Sequence, residues 1–311
     1  MIDEFVAVPC SEVVVEFGEG VVWDHVRSEL LWVDLQAGVL YRGRPGPASV
    51  QLVGRTEVGY PLGAVAPTRD GGWLVAAGAG FARLTEDGAL TWIAQPAAGQ
   101  PGLRMNDGAC DPAGRFWAGT MAYAETPGAG TLYRLDPDGT TTAMVSGTTI
   151  SNGLGWSADA TTLWFADSGR GSVDSFRFDA EAGTLSSRRT VIVVDPEEGV
   201  PDGLTVDAED HIWVALFGGG EVRRYTPDGE LVARVPLPVS CPTSCCFGGA
   251  ELSTLFISTA QRMVAGETGI SEPDAGRLFR ADTGIRGVAQ PFFATARPPS
   301  WPSAGLSNQP R

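Results

Sequence analysis

The chain has 311 residues and a formal net charge of −15, and all 22 of its basic residues are arginine because it contains no lysine. This charge argues against a nucleic-acid partner, and the lack of lysine excludes Schiff-base chemistry and Walker-type phosphate sites. No apolar run reaches the roughly 20 residues of a membrane span. The acidic N-terminus lacks the pattern of a secretory signal, so we expect a soluble, cytoplasmic protein.

One pattern recurs six times along the chain: a short strand containing a glycine, a polar turn, and a strand centred on an aromatic residue. The aromatic residues are Trp32, Trp73, Trp117, Trp164, Trp213 and Phe256. Their spacing of about 40–50 residues is typical of a four-stranded propeller blade. No helical periodicity persists, so the sequence predicts an all-β fold, a six-bladed β-propeller, with the tryptophans packed between blades.

The two ends of the chain have different predicted roles. Residues 5–15 are apolar enough to complete the last blade and close the ring, which removes an open sheet edge. We therefore predict a single propeller domain over residues 1–296. Residues 297–311 are rich in proline and serine, and we predict a disordered tail there.

The repeats differ most at the residue that precedes the glycine of the first strand. In chain order these residues are Glu19, Leu62, Asp107, Asn152, Asp202 and Phe247. If the blades are related by rotation about a central axis, the six positions form a ring at one mouth of the channel. Three of them, Glu19, Asn152 and Asp202, then converge although they are far apart in sequence.

Two carboxylates and one amide oxygen make a set of hard ligands that suits Ca²⁺, Mg²⁺ or Mn²⁺, and Zn²⁺ also accepts carboxylate oxygens. Three protein ligands leave positions open for water and substrate, as in catalytic metal sites. The alternative is that Asp-Gly and Asn-Gly are only turn residues that tolerate left-handed conformations.

Other polar residues extend or limit this site. Arg104 and Asn106 enter the same mouth and could hold hydroxyl or carbonyl oxygens, although Arg104 could instead pair with Asp107 or another carboxylate. His25 and His211 fall in turns that we place at the far face, which disfavours a propeller hydrolase with an imidazole base. The five cysteines are an odd number and do not suggest a set of disulfides, so we expect reduced thiols.

Several segments, in order and spacing, resemble the regucalcin/gluconolactonase family, also called senescence-marker-protein-like. The resemblance covers roughly residues 15–293, and its motifs lie at residues 18–23, 104–108, 116–121, 150–154, 201–204 and 243–249. It implies a six-bladed propeller that binds one divalent metal ion and hydrolyses a small-molecule sugar lactone, as a monomer or weak homo-oligomer.

Carried over position by position, the resemblance implies Glu19, Asn152 and Asp202 as metal ligands, and Arg104 and Asn106 as substrate contacts. The family's further acidic substrate residue falls on Ala124, so Glu125, one place on, is the candidate. In the implied reaction the metal polarises the lactone carbonyl, and Asp202 assists the attack of water to give the aldonic acid. Because a metal-bound carboxylate is a weak base, a metal-bound hydroxide is the alternative nucleophile.

Three other functions remain open from the sequence. One is a related propeller hydrolase that acts on another ester or on a phosphotriester. A second is a non-catalytic calcium-binding regulatory protein, which would bind metal without turning over any lactone. The third is a scaffold for protein partners.

Overall fold

The computed structural model describes residues 2–261 and 272–295, and nearly all of the regular structure is β-strand. The strands form six sheets, five with four strands and one with five. The innermost strand of each sheet contacts that of the next, and the last contacts the first. The predicted six-bladed β-propeller is therefore confirmed. In the described part of the chain, no helix is long and apolar enough to cross a membrane.

Two short strands precede the first blade: β1 (Asp3–Glu4) and β2 (Ala7–Pro9). Blade 1 contains β3 (Gly18–Asp24), β4 (Glu29–Asp34), β5 (Val39–Pro45) and β6 (Val50–Glu57). Blade 2 contains β7 (Leu62–Pro67), β8 (Trp73–Ala77), β9 (Gly80–Leu84) and β10 (Leu90–Ala94). Blade 3 contains β11 (Leu103–Cys110), β12 (Phe116–Ala122), β13 (Gly130–Leu135) and β14 (Thr141–Thr148).

The remaining blades follow the same order from the axis outward. Blade 4 contains β15 (Ser151–Trp156), β16 (Thr162–Asp167), β17 (Ser172–Asp179) and β18 (Thr184–Val193). Blade 5 contains β19 (Val200–Val206), β20 (Ile212–Phe217), β21 (Glu221–Tyr225) and β22 (Leu231–Pro236). Blade 6 contains β23 (Pro242–Gly248), β24 (Thr254–Thr259) and β25 (Phe279–Asp282).

The N-terminal segment closes the ring as expected. Strand β2 pairs antiparallel with β25, with Ala7 opposite Ala281, and so supplies the fourth strand of blade 6. Strand β1 pairs in parallel with β22 and adds a fifth strand to blade 5, which was not predicted. The predicted tail at residues 297–311 lies outside the described residues.

The repeated tryptophans pack where neighbouring blades meet. Trp73 of blade 2 is buried against Leu31 and Val33 of blade 1. Trp213 of blade 5 meets Phe247 of blade 6 edge to face, with ring centroids 5.6 Å apart. Their predicted role in inter-blade packing is confirmed.

Every innermost strand has an irregular pairing with its neighbour, and in blades 1 to 5 it falls at the predicted ring position. The shifts fall between Glu19 and Val22, Leu62 and Ala64, Met105 and Gly108, Ser151 and Leu154, Pro201 and Leu204, and Pro242 and Ser244. A β-bulge re-aims side chains and is frequent beside functional sites. In blade 6 the bulge includes Thr243, so the choice of Phe247 for that ring position was wrong. Phe247 lies four residues further along, in the core beside Trp213.

The far end of the channel is covered by the segment that follows β25. Phe293 donates its backbone N–H to Pro67 O at 2.9 Å, and Ala294 donates to Gly114 O at 2.9 Å, so the segment reaches from blade 6 to blades 2 and 3. A cavity of about 270 Å³ lies between the ring and this segment, and Gln290 lines it. His25 stacks on Phe292 with ring centroids 4.4 Å apart, which confirms that this histidine lies at the far face.

Candidate metal and substrate site

A cavity of about 960 Å³ occupies the other mouth of the channel. The residues that line it include all six predicted site residues: Glu19, Arg104, Asn106, Glu125, Asn152 and Asp202. Neither His25 nor His211 lines it. The fold thus brings together side chains from blades 1, 3, 4 and 5, while the role of each remains a prediction.

The three predicted metal ligands form the buried floor of the cavity. Glu19, Asn152 and Asp202 are each only 4% exposed, and each stands at the bulge of its innermost strand. Burial at this level means that the two carboxyl groups need partners inside the protein.

A chain of hydrogen bonds connects two predicted substrate residues to the floor. Arg104 donates from Nη1 to Asn106 Oδ1 at 2.6 Å and to Met105 O at 3.0 Å. Asn106 donates from Nδ2 to Asn152 Oδ1 at 2.9 Å and to Ser151 O at 2.8 Å. In this arrangement Asn106 fixes the position of the Asn152 amide.

Ser168 is a site residue that the sequence did not indicate. Asn152 donates from Nδ2 to Ser168 Oγ at 2.7 Å, and Ser168 donates to Pro201 O at 2.6 Å. These contacts orient the Asn152 amide so that its oxygen, the atom a hard cation prefers, is held at the ring. Ser168 follows β16 in a 3₁₀ turn that carries no recognisable motif, so its contribution arises from blade 4 packing beside blade 5.

The acidic groups of the ring are destabilised in their charged forms. Burial, and then the charge of Asp107, raise the pKa of Glu19 to about 8. Burial, followed by the charges of Glu19 and Asp107, raises the pKa of Asp202 well above its ordinary value. The pKa of Asp107 is raised to about 6 by burial. Within the described residues, Asp202 Oδ1 is buried and has no hydrogen-bond partner.

These properties fit a divalent cation. Buried carboxylates that repel one another, and whose nearby guanidinium of Arg104 does not offset the rise in the pKa of Glu19, are stabilised when a metal ion supplies further positive charge. Among residues 2–261 and 272–295, no group of three or more His, Cys, Asp or Glu side chains could hold a metal ion. The candidate set is therefore the mixed one, with two carboxylates completed by the Asn152 amide oxygen.

Arg104 lies between the floor and the rim of the cavity. Burial lowers the pKa of its guanidinium, while the charges of Glu19, Tyr123, Glu125 and Asp202 act in the opposite direction. The predicted alternative was that Arg104 pairs with Asp107 or another carboxylate, and the carboxylates whose charges act on it include Glu19, Glu125 and Asp202.

The loop that carries Glu125 has an unusual backbone. Glu125 adopts a left-handed φ of 51°, and its N–H donates to Ala122 O at 2.9 Å in a tight turn. Glu125 lines the cavity, whereas Ala124, the residue in register with the family's acidic position, does not. A glutamate rarely adopts a left-handed φ. The turn nevertheless places Glu125 at the mouth, although Glu125 lies one position after the family's acidic residue.

Comparison with known proteins shows the family of the chain. The family described as SMP-30/gluconolactonase/LRE-like region matches residues 17–261 of the chain. The chain belongs to this family. Regucalcin from Xenopus laevis is 36% identical over 287 residues, which cover 90% of this chain and 95% of the relative.

Solved structures of similar proteins superpose on this chain over most of its length. A calcium-binding protein, regucalcin, from Agrobacterium tumefaciens superposes with a TM-score of 0.87 at 26% identity, covering 94% of this chain and 99% of its own. A luciferin-regenerating enzyme superposes with a TM-score of 0.83 at 28% identity, covering 91% and 96%. The resemblance inferred from the motifs is confirmed.

Proposed function

We propose that this protein hydrolyses a lactone with the help of one divalent metal ion bound by Glu19, Asn152 and Asp202. The observation that carries the proposal is the buried Asp202 carboxyl, whose Oδ1 has no partner among the described residues, beside Glu19 and the fixed Asn152 amide. Family membership supports a gluconolactonase-like protein, and a sugar lactone is the first substrate to test.

The chemistry divides between the metal and the side chains of the chain. A divalent ion at this site supplies the Lewis acidity that polarises the lactone carbonyl and offsets the negative charge that develops on its oxygen. Asp202 orients the attacking water and accepts its proton as the water oxygen bonds to the carbonyl carbon. The ring C–O bond then breaks, the ring oxygen takes up a proton, and the product is the hydroxy acid.

The remaining predicted residues bind and position. Arg104, half-buried between floor and rim, contacts the oxygens of the lactone. Asn106 was predicted to contact substrate as well, and in the structure its amide also fixes Asn152. Glu125 stands at the mouth, where a carboxylate can accept a hydrogen bond from a substrate hydroxyl.

The test is hydrolysis of glucono-δ-lactone by chelator-treated protein, with Ca²⁺, Mg²⁺, Mn²⁺ or Zn²⁺ added back separately. Acid release is followed against the Asp202→Asn variant, which corrects for spontaneous ring opening. We expect metal to restore turnover in the wild type and the variant to lose about 10³-fold or more in kcat, as expected when a group acting on the reacting atoms is removed. A fully active Asp202→Asn protein would contradict the assigned role.

A non-catalytic calcium-binding role is the second candidate, favoured by the structural relative described as a calcium-binding protein. It predicts stabilisation by Ca²⁺ in a thermal-shift titration without turnover of any lactone. The absence of both stabilisation and turnover would contradict both candidates.

A further inference from the structure

We propose that the lactone for which this site is built carries an apolar alkyl or aryl substituent, in preference to the several hydroxyl groups of a sugar lactone. The inference rests on the proposed lactone hydrolysis and deepens it by naming the substrate class. Two features of the cavity support it: its apolar wall and the mutual pairing of its buried amide and hydroxyl groups.

The wall above the ring contains apolar side chains from several blades. They are Phe17, Leu35, Met121, Ile150, Val200 and Phe217. Phe17 and Phe217 stack on one another with ring centroids 5.8 Å apart and planes inclined by 20°, so two aromatic rings meet at this wall. A bound alkyl or aryl group is stabilised against these apolar side chains because its apolar area leaves water.

The amide and hydroxyl groups at the floor already hydrogen-bond to one another or to the backbone, and the two carboxyl groups there, of Glu19 and Asp202, are the proposed metal ligands. Both amide hydrogens of Asn106 are donated, to Ser151 O and Asn152 Oδ1, and its own oxygen accepts from Arg104. The Ser168 hydroxyl both accepts from Asn152 and donates to Pro201 O. A sugar hydroxyl buried here has to break one of these bonds or stay unpaired, and both outcomes are unfavourable.

The polar groups that are not buried stand at the rim. Tyr123, Glu125 and Gln36 line the cavity but are exposed to water. They can contact one or two oxygens near the mouth, where water competes for the same contacts. Arg104 remains for the ester group itself. The described residues therefore offer polar contacts to the reacting ester and apolar contacts to the rest of the molecule.

The test compares six-membered lactones that differ only in their substituents: δ-valerolactone, δ-decalactone with its pentyl chain, and glucono-δ-lactone. The full-length protein is assayed with the metal ion that supports turnover. Each kcat/KM is divided by the spontaneous hydrolysis rate constant, because the hydroxyls change the intrinsic reactivity of the ester. We expect this normalised value to be at least about tenfold higher for δ-decalactone than for glucono-δ-lactone, with δ-valerolactone between them.

Variants of the aromatic wall test the cause of the preference. The readout is the ratio of kcat/KM for δ-decalactone to that for glucono-δ-lactone, which does not depend on the amount of folded enzyme. Phe217→Ser should lower this ratio about tenfold, and Phe217→Leu, which keeps an apolar group, should keep it within about twofold. Phe292→Ala, a half-buried aromatic at the far face, is the matched control and should leave the ratio unchanged.

The outcomes separate this inference from the proposed function. A higher normalised value for glucono-δ-lactone, or a ratio that Phe217→Ser leaves unchanged, overturns the apolar preference while lactone hydrolysis stands. If none of the three lactones is hydrolysed above the Asp202→Asn background, the proposed function fails, and the inference fails with it. The substrate comparison uses wild-type protein, so it decides the question even if a Phe217 variant does not fold.

Discussion

Two buried aspartates, Asp202 near the start of β19 and Asp207 directly after its end, differ in their hydrogen bonds. Asp207, fully buried at the far end, accepts backbone N–H groups from Glu209 and His211 at 2.9 and 3.0 Å. Its other oxygen accepts from Trp213 Nε1 and Arg224 Nε, both at 2.8 Å. Asp202, five residues earlier at the ring, has an oxygen without any partner among the described residues.

The same contrast holds in blade 3. Asp111, at the far-end turn, accepts from Arg115 Nε at 2.6 Å and from Trp117 Nε1 at 3.0 Å. The far-end aspartates are therefore structural, since the protein itself supplies their cation and donors. At the ring, Arg104 acts on Asp202 through its charge, but Asp202 Oδ1 has no hydrogen-bond partner among the described residues, and this arrangement fits a ligand-binding site.

The largest expected effect on stability is at the far end. Asp207→Asn keeps the shape of the turn but leaves the buried Arg224 guanidinium with Glu209 as its remaining acidic partner, at 2.7 Å. We expect the free energy of unfolding to fall by about 3 kcal/mol, the lower end for breaking a buried pair. Denaturant unfolding of the chelator-treated protein measures it.

Asp202→Asn is the matched variant at the ring. In chelator it removes a desolvated carboxyl that has an unpaired oxygen, so the free energy of unfolding should stay unchanged or rise. Equal destabilisation by the two variants would contradict the distinction between a structural Asp207 and an Asp202 that serves a ligand site.

Metal addition should separate the Asp202 and Asp207 variants further. At a concentration 100-fold above its Kd, a bound ion stabilises the folded state by about 2.7 kcal/mol. We expect this gain for the wild type and for Asp207→Asn, and little or none for Asp202→Asn, in thermal or denaturant unfolding. Equal stabilisation of all three proteins would place the ion elsewhere.

The pH dependence of the metal-free protein follows from the raised pKa of Glu19, about 8 against an ordinary 4.5. The folded state holds this proton more tightly than the unfolded state. The resulting contribution of Glu19 to the free energy of unfolding is therefore fully present below about pH 4.5 and is lost as the pH rises through about 8. Unfolding in chelator at pH 5, 6.5 and 8 should show falling stability. Glu19→Gln should flatten this slope, and a slope that stays unchanged would contradict the assignment.

The smallest expected effect is at Glu125. Glu125→Gln removes the charge at the mouth and should lower kcat/KM about fivefold, or about 1 kcal/mol. Glu125→Gly should lower activity equally but raise stability by about 1 kcal/mol, because glycine adopts the left-handed φ without strain. Full activity in both variants would remove Glu125 from the substrate site.

Much of the fold could be predicted because short local sequence patterns specify each blade and recur along the chain. The aromatic strand centres and polar turns recur in every blade, so the period indicated six units, and the apolar residues 5–15 indicated the strand that closes the ring. Rotation about an axis then placed Glu19, Asn152 and Asp202 at equivalent positions, and the structure has them lining one cavity.

What escaped prediction depends on contacts between distant residues. A bulge has no distinctive residue signature, so the ring position of blade 6 was misassigned to Phe247 when the bulge includes Thr243. The Asn106 to Asn152 hydrogen bond spans 46 residues, and the Ser168 to Pro201 bond spans 33. Such bonds form only when two blades are docked, and so does the apolar wall that Phe17 and Phe217 build together. Local patterns therefore determine the blades, and the docking of blades around the axis determines which hydrogen bonds and apolar contacts form the site.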